Sequence, residues 1–538
     1  MPWRRAAFAS VTADLALLAF ADIAYGTKDD VRIVQLLEGT ITDGEPTPFI
    51  MYPNVLLGKG LKLLYNHFPD TPWYFLLLAS ALLLVHALFV ALIAEKKGGV
   101  AALVLWLFFL PFLLRVTFTS VSILLTFAGF AALFPLLEVH KGFWGTAKAY
   151  VEAAPLFLLA VLIRPEAFFF ASAAGMAALL CFMKPKRFFR EILPWFMVAA
   201  FSAAAFPAVD FEEYRHSICN ADFPEYNKYK SFLIDFGIAE HSDGFEEALK
   251  KAGWSRNDYL VFRNWLFLKN DTYRIERLKR FVESLKVEFS KKWEAVTRFG
   301  RDFAADSYPL LVILVIAGLL VGTGFGSLVR LSAFFLLLFL LLIGVAFLTK
   351  PPPPRLYLPL CYFALFVGIW NSDEIVSRRK RVFLAMVSVF LFFHLGYLIR
   401  QNRRCALLHR QALHALNPLD LYLVIDDALC PTGMDPRKVH RKEGIETVPF
   451  GTVMILDEVK ERLASAGITG YMDLLDPRVR LLVRKESLWK IKLLLRYLRE
   501  HGQPEAKARS RSIAPGLYEV WLSSGKEGKA VLSDRGPS

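Results

Sequence analysis

The chain has 538 residues, of which 55% are hydrophobic and 21% are charged, and its formal net charge at pH 7 is +14. Soluble globular proteins are about 45–50% apolar and about 25% charged, so this composition excludes a disordered chain, a small disulfide scaffold and an ordinary soluble enzyme. In a soluble protein such a positive charge would suggest nucleic acid as a partner, and the positions of the basic residues decide the matter.

Eleven apolar runs are candidates to cross a bilayer, which takes roughly 17–25 residues per helix. They are 8–25, 73–93, 100–114, 116–137, 153–163, 167–183, 192–209, 308–325, 331–349, 356–370 and 382–399. The run 153–163 is short, and the first run contains Asp14 and Asp22, which makes these two the weakest. The first run lacks the small-residue cleavage site of a signal peptide, which favours a retained helix. The sequence therefore predicts a polytopic α-helical membrane protein with about eleven transmembrane helices.

Lys and Arg are about twice as dense in the short loops on one side of these runs as on the other. Because basic loops stay in the cytoplasm, this pattern predicts a cytoplasmic N-terminus and an extracytoplasmic C-terminus. The basic runs 184–187 and 378–381 are then topology signals, and no nucleic-acid partner is expected.

Three longer segments fall on the predicted outer face, namely 26–72, 210–307 and 400–538. We predict a transmembrane module over 1–399, with 26–72 and 210–307 as its outer loops, and a separate domain over 400–538.

The predicted C-terminal domain is a small extracytoplasmic α/β domain. Its predicted strands are 421–425 and 518–522, and its predicted helices are 457–466 and 487–500. The polar stretch from Gln503 to Ser512 is predicted to be a mobile tail. Cys405 and Cys430 share this domain, where they either form a disulfide or remain two free thiols.

Two adjacent carboxylates, Asp29 and Asp30, follow the first predicted span directly. A helix is predicted to start with them, since carboxylates are favoured at helix N-termini, and to end at Gly39. Asn54 to Tyr65 is predicted to form a second amphipathic helix. The plain interpretation of the pair is capping, but its position at the outer end of the first span favours a function.

These features resemble the GT-C class of membrane glycosyltransferases, and within it Asp29-Asp30-x-Arg32 with Gly39 is similar to the bacterial O-antigen glucosyltransferases. The resemblance covers roughly residues 1–400, and 400–538 carries none. It implies a GT-C-like fold in the plasma (inner) membrane of a bacterium. It also implies transfer of a hexose or pentose, with inversion, from a polyprenyl-phosphate donor. The acceptor would be lipid-linked, a polysaccharide or a protein, on the outer face. In that class an acidic residue of the first outer loop is the base or a metal ligand, which matches Asp29 or Asp30.

Transfer from a phosphate donor needs a carboxylate to take the acceptor proton and positive charge to hold the departing phosphate. The basic residues that fall on the predicted outer face between spans are Arg115, Arg164, Lys350 and Arg355. We predict that they bind the donor phosphate. The alternative for each is a side chain that reaches from a helix end to the membrane surface.

Further predicted substrate contacts are Arg32 in the first outer loop and Glu212 and Glu213 after a span. Asp29 and Asp30 could also hold Mg²⁺ or Mn²⁺ through oxygen ligands, although a lipid-phosphate donor does not require a metal. Among the aromatic residues of 210–307, Trp254, Tyr259 and Trp265 suit stacking on sugars or packing in a core.

Asp14 in the middle of the first span indicates either a functional site or a partner for a buried polar group. Two other functions remain open from the sequence: a transporter or flippase of lipid-linked saccharides, and an O-antigen-type polymerase. A flippase needs polar residues through several spans, and a polymerase does not need the early Asp29-Asp30 pair.

Overall fold

The computed structural model describes residues 2–217, 220–234, 244–268, 270–285, 292–320, 324–348, 351–372, 378–426, 428–429, 433–440 and 446–524. In chain order the helices are α1 (Pro2–Phe20), α2 (Lys28–Glu38), α3 (Val55–His67), α4 (Trp73–Lys97), α5 (Gly99–Leu114), α6 (Phe118–Val139), α7 (Gly142–Ile163), α8 (Pro165–Phe182), α9 (Pro185–Arg187), α10 (Leu193–His216), α11 (Phe223–Ile234), α12 (Phe245–Ala252), α13 (Arg256–Arg263), α14 (Ile275–Glu283), α15 (Lys292–Ala305), α16 (Ser307–Leu320), α17 (Phe325–Leu348), α18 (Pro354–Asn371), α19 (Arg378–His414), α20 (Asp457–Ser465) and α21 (Trp489–Glu500). The strands are β1 (Ala24–Tyr25), β2 (Arg115–Val116), β3 (Leu421–Val424), β4 (Glu446–Pro449), β5 (Val479–Arg484), β6 (Lys507–Ala514) and β7 (Leu517–Ser523).

Each predicted span overlaps one of the long helices of the bundle. Among the described residues, α4, α6, α7, α8, α10 and α17 are long and apolar enough to cross a membrane by length and composition. The short run 153–163 lies within α7, which extends back to Gly142 and so gains the necessary length. The chain is therefore a mostly helical membrane protein, and the count of eleven spans stays a prediction.

The last helix of the bundle, α19, continues past the predicted boundary at residue 400 to His414. Arg400, Arg403 and Arg404, which follow the last apolar run, lie within this helix. One continuous helix thus connects the bundle to the C-terminal region.

The C-terminal region contains a five-stranded sheet with the order β4-β3-β5-β7-β6. Strand β3 pairs in parallel with β4 and β5, whereas β7 pairs antiparallel with β5 and β6. The α/β pattern predicted from the sequence is therefore present, with helices α20 and α21 near their predicted bounds.

The prediction of a mobile tail over 503–512 is wrong, because β6 pairs along β7 from Lys507 to Ala514. Exposed polar and charged side chains are typical of an edge strand, where they prevent pairing with other chains. The polar side chains of this stretch are therefore explained by its position at the edge of the sheet. Whether Cys405 and Cys430 form a disulfide or remain two free thiols stays open, because Cys430 lies outside the described residues.

The three segments between and after the spans contact one another. The Arg32 Nη2 atom donates to the Phe450 carbonyl at 2.9 Å, and the Leu268 amide donates to the Tyr471 hydroxyl at 3.0 Å. Glu458 accepts from Thr47 at 3.0 Å and from Asn220 at 2.7 Å, so it joins all three segments. Segments in contact share one side of the membrane, and an even number of predicted spans does separate each pair.

Asp14 is fully buried within the helix bundle. Its carboxylate lies 2.7 Å from the Nδ1 atom of His86 and accepts from the Trp106 indole at 3.0 Å and from the Ser10 hydroxyl at 3.4 Å. Of the two interpretations of Asp14, the structure supports the partner for a buried polar group, because these contacts satisfy the carboxylate between α1, α4 and α5.

Candidate functional site

Helix α2 begins immediately after a short parallel pair of strands that fixes its place. Strand β1 pairs with β2, and the Gly26 amide donates to the Val116 carbonyl at 2.7 Å. Thr27 is the N-cap, and its hydroxyl accepts from the Asp30 amide. Gly39 ends the helix with φ 75°, a left-handed conformation that glycine adopts without strain. Asp29 and Asp30 therefore lie in the first turn, beside the start of α6.

Asp30 points into the protein and is fully buried. One carboxylate oxygen accepts from the Phe118 amide at 2.9 Å and the Tyr74 hydroxyl at 3.1 Å, and the other accepts from the Thr27 hydroxyl at 2.6 Å. Burial raises the pKa of the Asp30 carboxyl to about 6, against these bonds, which lower it. Asp30 thus anchors α2 to α4 and α6.

Asp29 points the other way, into a cavity of about 730 Å³ that we call the Asp29 cavity. Its Oδ2 atom lies 3.2 Å from the Arg355 Nη1 atom, and its Oδ1 atom lies 4.0 Å from the Arg32 Nη1 atom. The cavity is lined by Lys28, Asp29, Arg32, Tyr52, Thr119, Arg164, Glu166, Ala167, Phe170, Asn227, Ser231, Trp265, Val345, Pro352, Pro353, Arg355, Leu356 and Thr452. A carboxylate and the guanidinium groups beside it are therefore available to a ligand.

Arg164 lies at the junction of α7 and α8, where Pro165 starts the second helix. Its Nη1 atom donates to the Thr119 hydroxyl at 2.6 Å, and its guanidinium lies 5.4 Å from the ring centre of Tyr52 and 5.0 Å from that of Phe118. Burial lowers the pKa of Arg164, and the nearby Arg355 lowers it further. The positive charges of Arg164 and Arg355 repel each other in this cavity, and a bound anion relieves that repulsion.

The described lining of the Asp29 cavity carries more positive than negative charge. Its basic side chains are Lys28, Arg32, Arg164 and Arg355, and its acidic side chains are Asp29 and Glu166. An anionic ligand is therefore favoured there.

A second cavity of about 860 Å³ lies on the other side of Arg355, and we call it the apolar cavity. Its apolar side chains come from α5, α16, α18 and α19 and include Phe112, Leu310, Leu311, Leu358, Phe390 and Phe393. Phe393 is 73% exposed, so the cavity opens at the outer surface of the bundle. Arg355 and Pro353 line both cavities. The apolar cavity and the Asp29 cavity thus share Arg355 as a common lining residue.

Arg115 lines the apolar cavity rather than the Asp29 cavity. Its guanidinium donates to the side-chain oxygens of Gln401 at 2.6 Å and Asn402 at 3.2 Å. Lys350, the remaining predicted phosphate ligand, lies outside the described residues.

Glu212 and Glu213 lie near the end of α10 and do not line either cavity. The Glu213 carboxylate lies 2.7 Å from Lys59, and that of Glu212 lies 3.8 Å from Arg215. The structure therefore does not bring these two predicted substrate contacts to Asp29.

Several cavity residues had no distinguishing signal in the sequence. Of the three aromatic residues considered for stacking, Trp254 and Tyr259 are buried in a core, whereas Trp265 lines the Asp29 cavity with φ 62°. Tyr52 reaches the same cavity from the first loop, and burial raises the pKa of its phenol to about 12, so it is a neutral donor. Sequence spacing cannot show which of several aromatic residues faces a cavity.

The two carboxylates do not together fit a divalent cation. Hydrogen bonds from Thr27, Tyr74 and Phe118 occupy both oxygens of Asp30, which points away from the Asp29 cavity. Arginine guanidinium groups surround Asp29. A hard cation such as Mg²⁺ or Mn²⁺ needs several free oxygen ligands, and this pair does not supply them.

Comparison with known proteins gives one distant structural likeness. No protein-family model matches the chain, and no curated protein matches it. Two solved structures of ArnT from Cupriavidus metallidurans are similar, one bound to undecaprenyl phosphate and one in the apo state. Their sequence identities to this chain are 12% and 11%, and both cover 96% of this chain and 97% of their own, with a TM-score of 0.36. This score is too low to indicate a shared activity, so the contacts around Asp29 must support any function.

Proposed function

We propose that the protein is a glycosyltransferase that moves a sugar from a polyprenyl-phosphate donor to an acceptor hydroxyl beside Asp29. The observation that carries this proposal is the position of Arg355. It lies between a carboxylate-bearing cationic cavity and an apolar cavity that opens at the bundle surface. A donor consists of a long apolar chain, an anionic phosphate and a sugar. It therefore needs an apolar cavity, a cation such as Arg355 and a cavity that bears a carboxylate, in this order.

The donor phosphate would bind between Arg355 and Arg164. Guanidinium groups bind phosphate through charge-assisted hydrogen bonds, and both of these face the Asp29 cavity. Thr119 and the Tyr52 and Phe118 rings hold Arg164 in place, which spares the cost of ordering it at the moment of reaction. The polyprenyl chain would occupy the apolar cavity, with Arg115 at its polar edge.

Asp29 would act as the general base. The acceptor oxygen forms a bond to the anomeric carbon while the bond from that carbon to the phosphate oxygen breaks. The bonding electrons leave with the phosphate, and the acceptor proton passes to the Asp29 carboxylate. Attack from the face opposite the leaving group inverts the anomeric centre. Since phosphate is already a good leaving group, Arg355 and Arg164 need only stabilise its charge.

The ion pair between Asp29 and Arg355 would couple donor binding to base activation. At 3.2 Å the Arg355 guanidinium occupies a carboxylate oxygen that an acceptor hydroxyl would otherwise approach. A donor phosphate competes for Arg355 and so frees Asp29 when the donor is in place. We further infer that acceptors are lipid-linked glycans, polysaccharides or proteins at the outer face of a bacterial inner membrane.

Asp29→Asn and Asp30→Asn form a matched pair that tests the proposal. The proteins would be purified in lipid nanodiscs and given labelled polyprenyl-phosphate hexoses and pentoses, with an envelope glycan extract as acceptor. We expect Asp29→Asn to lose at least about a hundredfold of transfer, as for removal of a general base. Asp30→Asn should retain a tenth or more, because its amide can keep the contacts to Phe118, Tyr74 and Thr27. Full activity of Asp29→Asn would exclude Asp29 as the base.

A further inference from the structure

A third cavity, of about 520 Å³, lies between α2 and the C-terminal sheet. On the sheet side it is lined by Val424 and Asp426 at the end of β3 and by Thr447 and Pro449 of β4. On the other side it is lined by residues of α2 and of the turn that follows, including Gln35. We call it the strand-end pocket, because it lies at the carboxyl ends of two parallel strands.

The sheet topology places a binding crevice beside the strand-end pocket. In the order β4-β3-β5 the three strands are parallel, with β3 in the centre. The chain passes from β3 to β4 on one side and then returns to β5 on the other, so the connections diverge at β3. In open α/β sheets, ligands bind outside the carboxyl ends of the strands at such a switch point, which here lies between β3 and β5. The described lining of the strand-end pocket reaches this place at Asp426 and includes no residue of β5.

The backbone at the end of β3 supports the same conclusion. Asp426 has φ 55°, a left-handed conformation that is uncommon for a residue with a side chain. Its carboxylate accepts from Lys490 at 2.5 Å and from Ser487 at 2.6 Å, which holds the turn in place. Strained residues of this kind persist where the surrounding structure fixes them, most often at ligand sites.

The side chains of the strand-end pocket suit an anionic ligand that carries hydroxyl groups. Its described charged residues are Lys28, Arg32, Asp43, Asp426 and Arg462. Asp426 pairs with Lys490 and Arg32 pairs with Asp29, and both of these partners lie outside the lining. Asp43 pairs with Arg462 at 3.5 Å, so the excess positive charge of the described lining comes from Lys28. Hydrogen-bonding partners for hydroxyl groups come from Gln35, Thr40, Thr42, Thr447, His409 and His440.

The strand-end pocket and the Asp29 cavity share two side chains. Lys28 and Arg32 lie one turn apart on α2 and line both cavities. The Arg32 Nη2 atom also donates to the Phe450 carbonyl, and a side chain at the neighbouring Gly451 would approach that atom to 2.9 Å. Lys28 and Arg32 therefore lie at the boundary between the strand-end pocket and the Asp29 cavity.

We propose that the strand-end pocket binds an anionic saccharide unit of the acceptor and so positions a neighbouring hydroxyl at Asp29. The role of this saccharide as the acceptor rests on the proposed function. The affinity of the pocket for an anionic saccharide does not. The anionic group is a phosphate or a carboxylate, and a hexose phosphate and a hexuronate distinguish the two as probes. The C-terminal sheet would then select acceptors, while the helix bundle binds the donor.

Direct binding tests the pocket without relying on transfer. The full-length protein in nanodiscs would be titrated with a hexose phosphate, a hexuronate, inorganic phosphate and a neutral hexose, with saturation-transfer NMR as the readout. We expect the hexose phosphate or the hexuronate to bind at least tenfold more tightly than the neutral hexose. Binding of inorganic phosphate as tightly as the hexose phosphate would show that the sugar is not recognised and would overturn the proposal. Failure of both anionic saccharides to bind would overturn it equally.

Variants then locate the binding. Arg462→Gln removes a cation from the pocket, and Lys460→Gln removes one from the exposed face of the same helix as a matched control. We expect a roughly tenfold loss of affinity in the first and less than a twofold change in the second. Gln35→Phe, which fills the pocket from α2, should weaken binding independently of charge. Equal effects of Arg462→Gln and Lys460→Gln, or unchanged affinity in Gln35→Phe, would exclude this pocket.

Transfer kinetics separate this proposal from the proposed function. In an active enzyme, Arg462→Gln should raise the KM for the acceptor at least fivefold and leave the KM for the donor unchanged. Loss of anionic saccharide binding with no change in either KM would remove the acceptor role. Wild-type protein that binds the saccharide at this pocket but transfers no sugar would overturn the proposed function and leave the binding site standing.

Discussion

Asp29 and Asp30 are neighbours in the chain but lie in opposite environments. Asp30 is buried with its oxygens hydrogen-bonded, whereas Asp29 faces a cationic cavity. Adjacent residues in the first turn of a helix point about 100° apart, so the two cannot serve the same site. The sequence could predict the pair and its place at the start of a helix. It could not predict which residue is buried, because that depends on Tyr74 and Phe118 from two other helices.

The buried carboxyl of Asp30 should give the protein a distinctive pH dependence. Its folded-state pKa of about 6 lies above the ordinary aspartate value of 3.8, so the folded protein binds the proton more tightly than the unfolded chain. The stabilising contribution is fully present below about pH 4 and is lost as the pH rises through 6, for a change of about 3 kcal/mol. Asp30→Asn has no proton to lose, so the melting temperature of the wild type relative to this variant should fall between pH 4 and pH 7. A constant difference measured by thermal unfolding in nanodiscs would contradict the raised pKa.

At the scale of elements, apolar helices were predictable and surface strands were not. Hydrophobic runs located the bundle helices, and capping residues located α2 with its end at Gly39. The amphipathic pattern of 54–65 located α3, which spans Val55–His67. Strand β6 was missed because an edge strand with exposed polar side chains resembles a mobile tail in composition. The cavities were not predictable either, since they arise where α5, α16, α18 and α19 leave space between them.

Two positions on helix α16 allow the apolar cavity to be tested. Leu310 lines the cavity and Leu314, one turn further, does not, yet the two are similarly exposed at 44% and 51%. Leu310→Trp should fill the cavity and raise the KM for a long-chain polyprenyl donor at least fivefold. A short-chain donor should be affected less than twofold, because it does not reach this depth. Leu314→Trp controls for the bulk of tryptophan on the same helix, and equal effects of the two variants would place the polyprenyl chain elsewhere.

At the scale of the whole molecule, the site depends on segments that are far apart in the chain. Asp29 follows α1, Arg164 lies between α7 and α8, and Arg355 lies in the first turn of α18. The basic loops predicted that all three lie at one face of the membrane, and the cavity brings them together. The contribution of the C-terminal sheet could not be predicted, since it depends on the packing of α2 against the ends of β3 and β4.

Labelling of single cysteines tests whether this assembled face is the outer one. In a background with the native cysteines replaced by serine, Asn66→Cys, Glu246→Cys and Lys460→Cys place one thiol in each of the three contacting segments, at exposed positions. Lys186→Cys places one in a predicted cytoplasmic loop. A membrane-impermeant thiol reagent applied to intact cells should label the first three and spare the fourth. Because the three segments contact one another, a different result among them would contradict the packing itself. Protection of all three with labelling at position 186 would leave the packing intact but place Asp29 in the cytoplasm, where the proposed outer-face acceptors are absent.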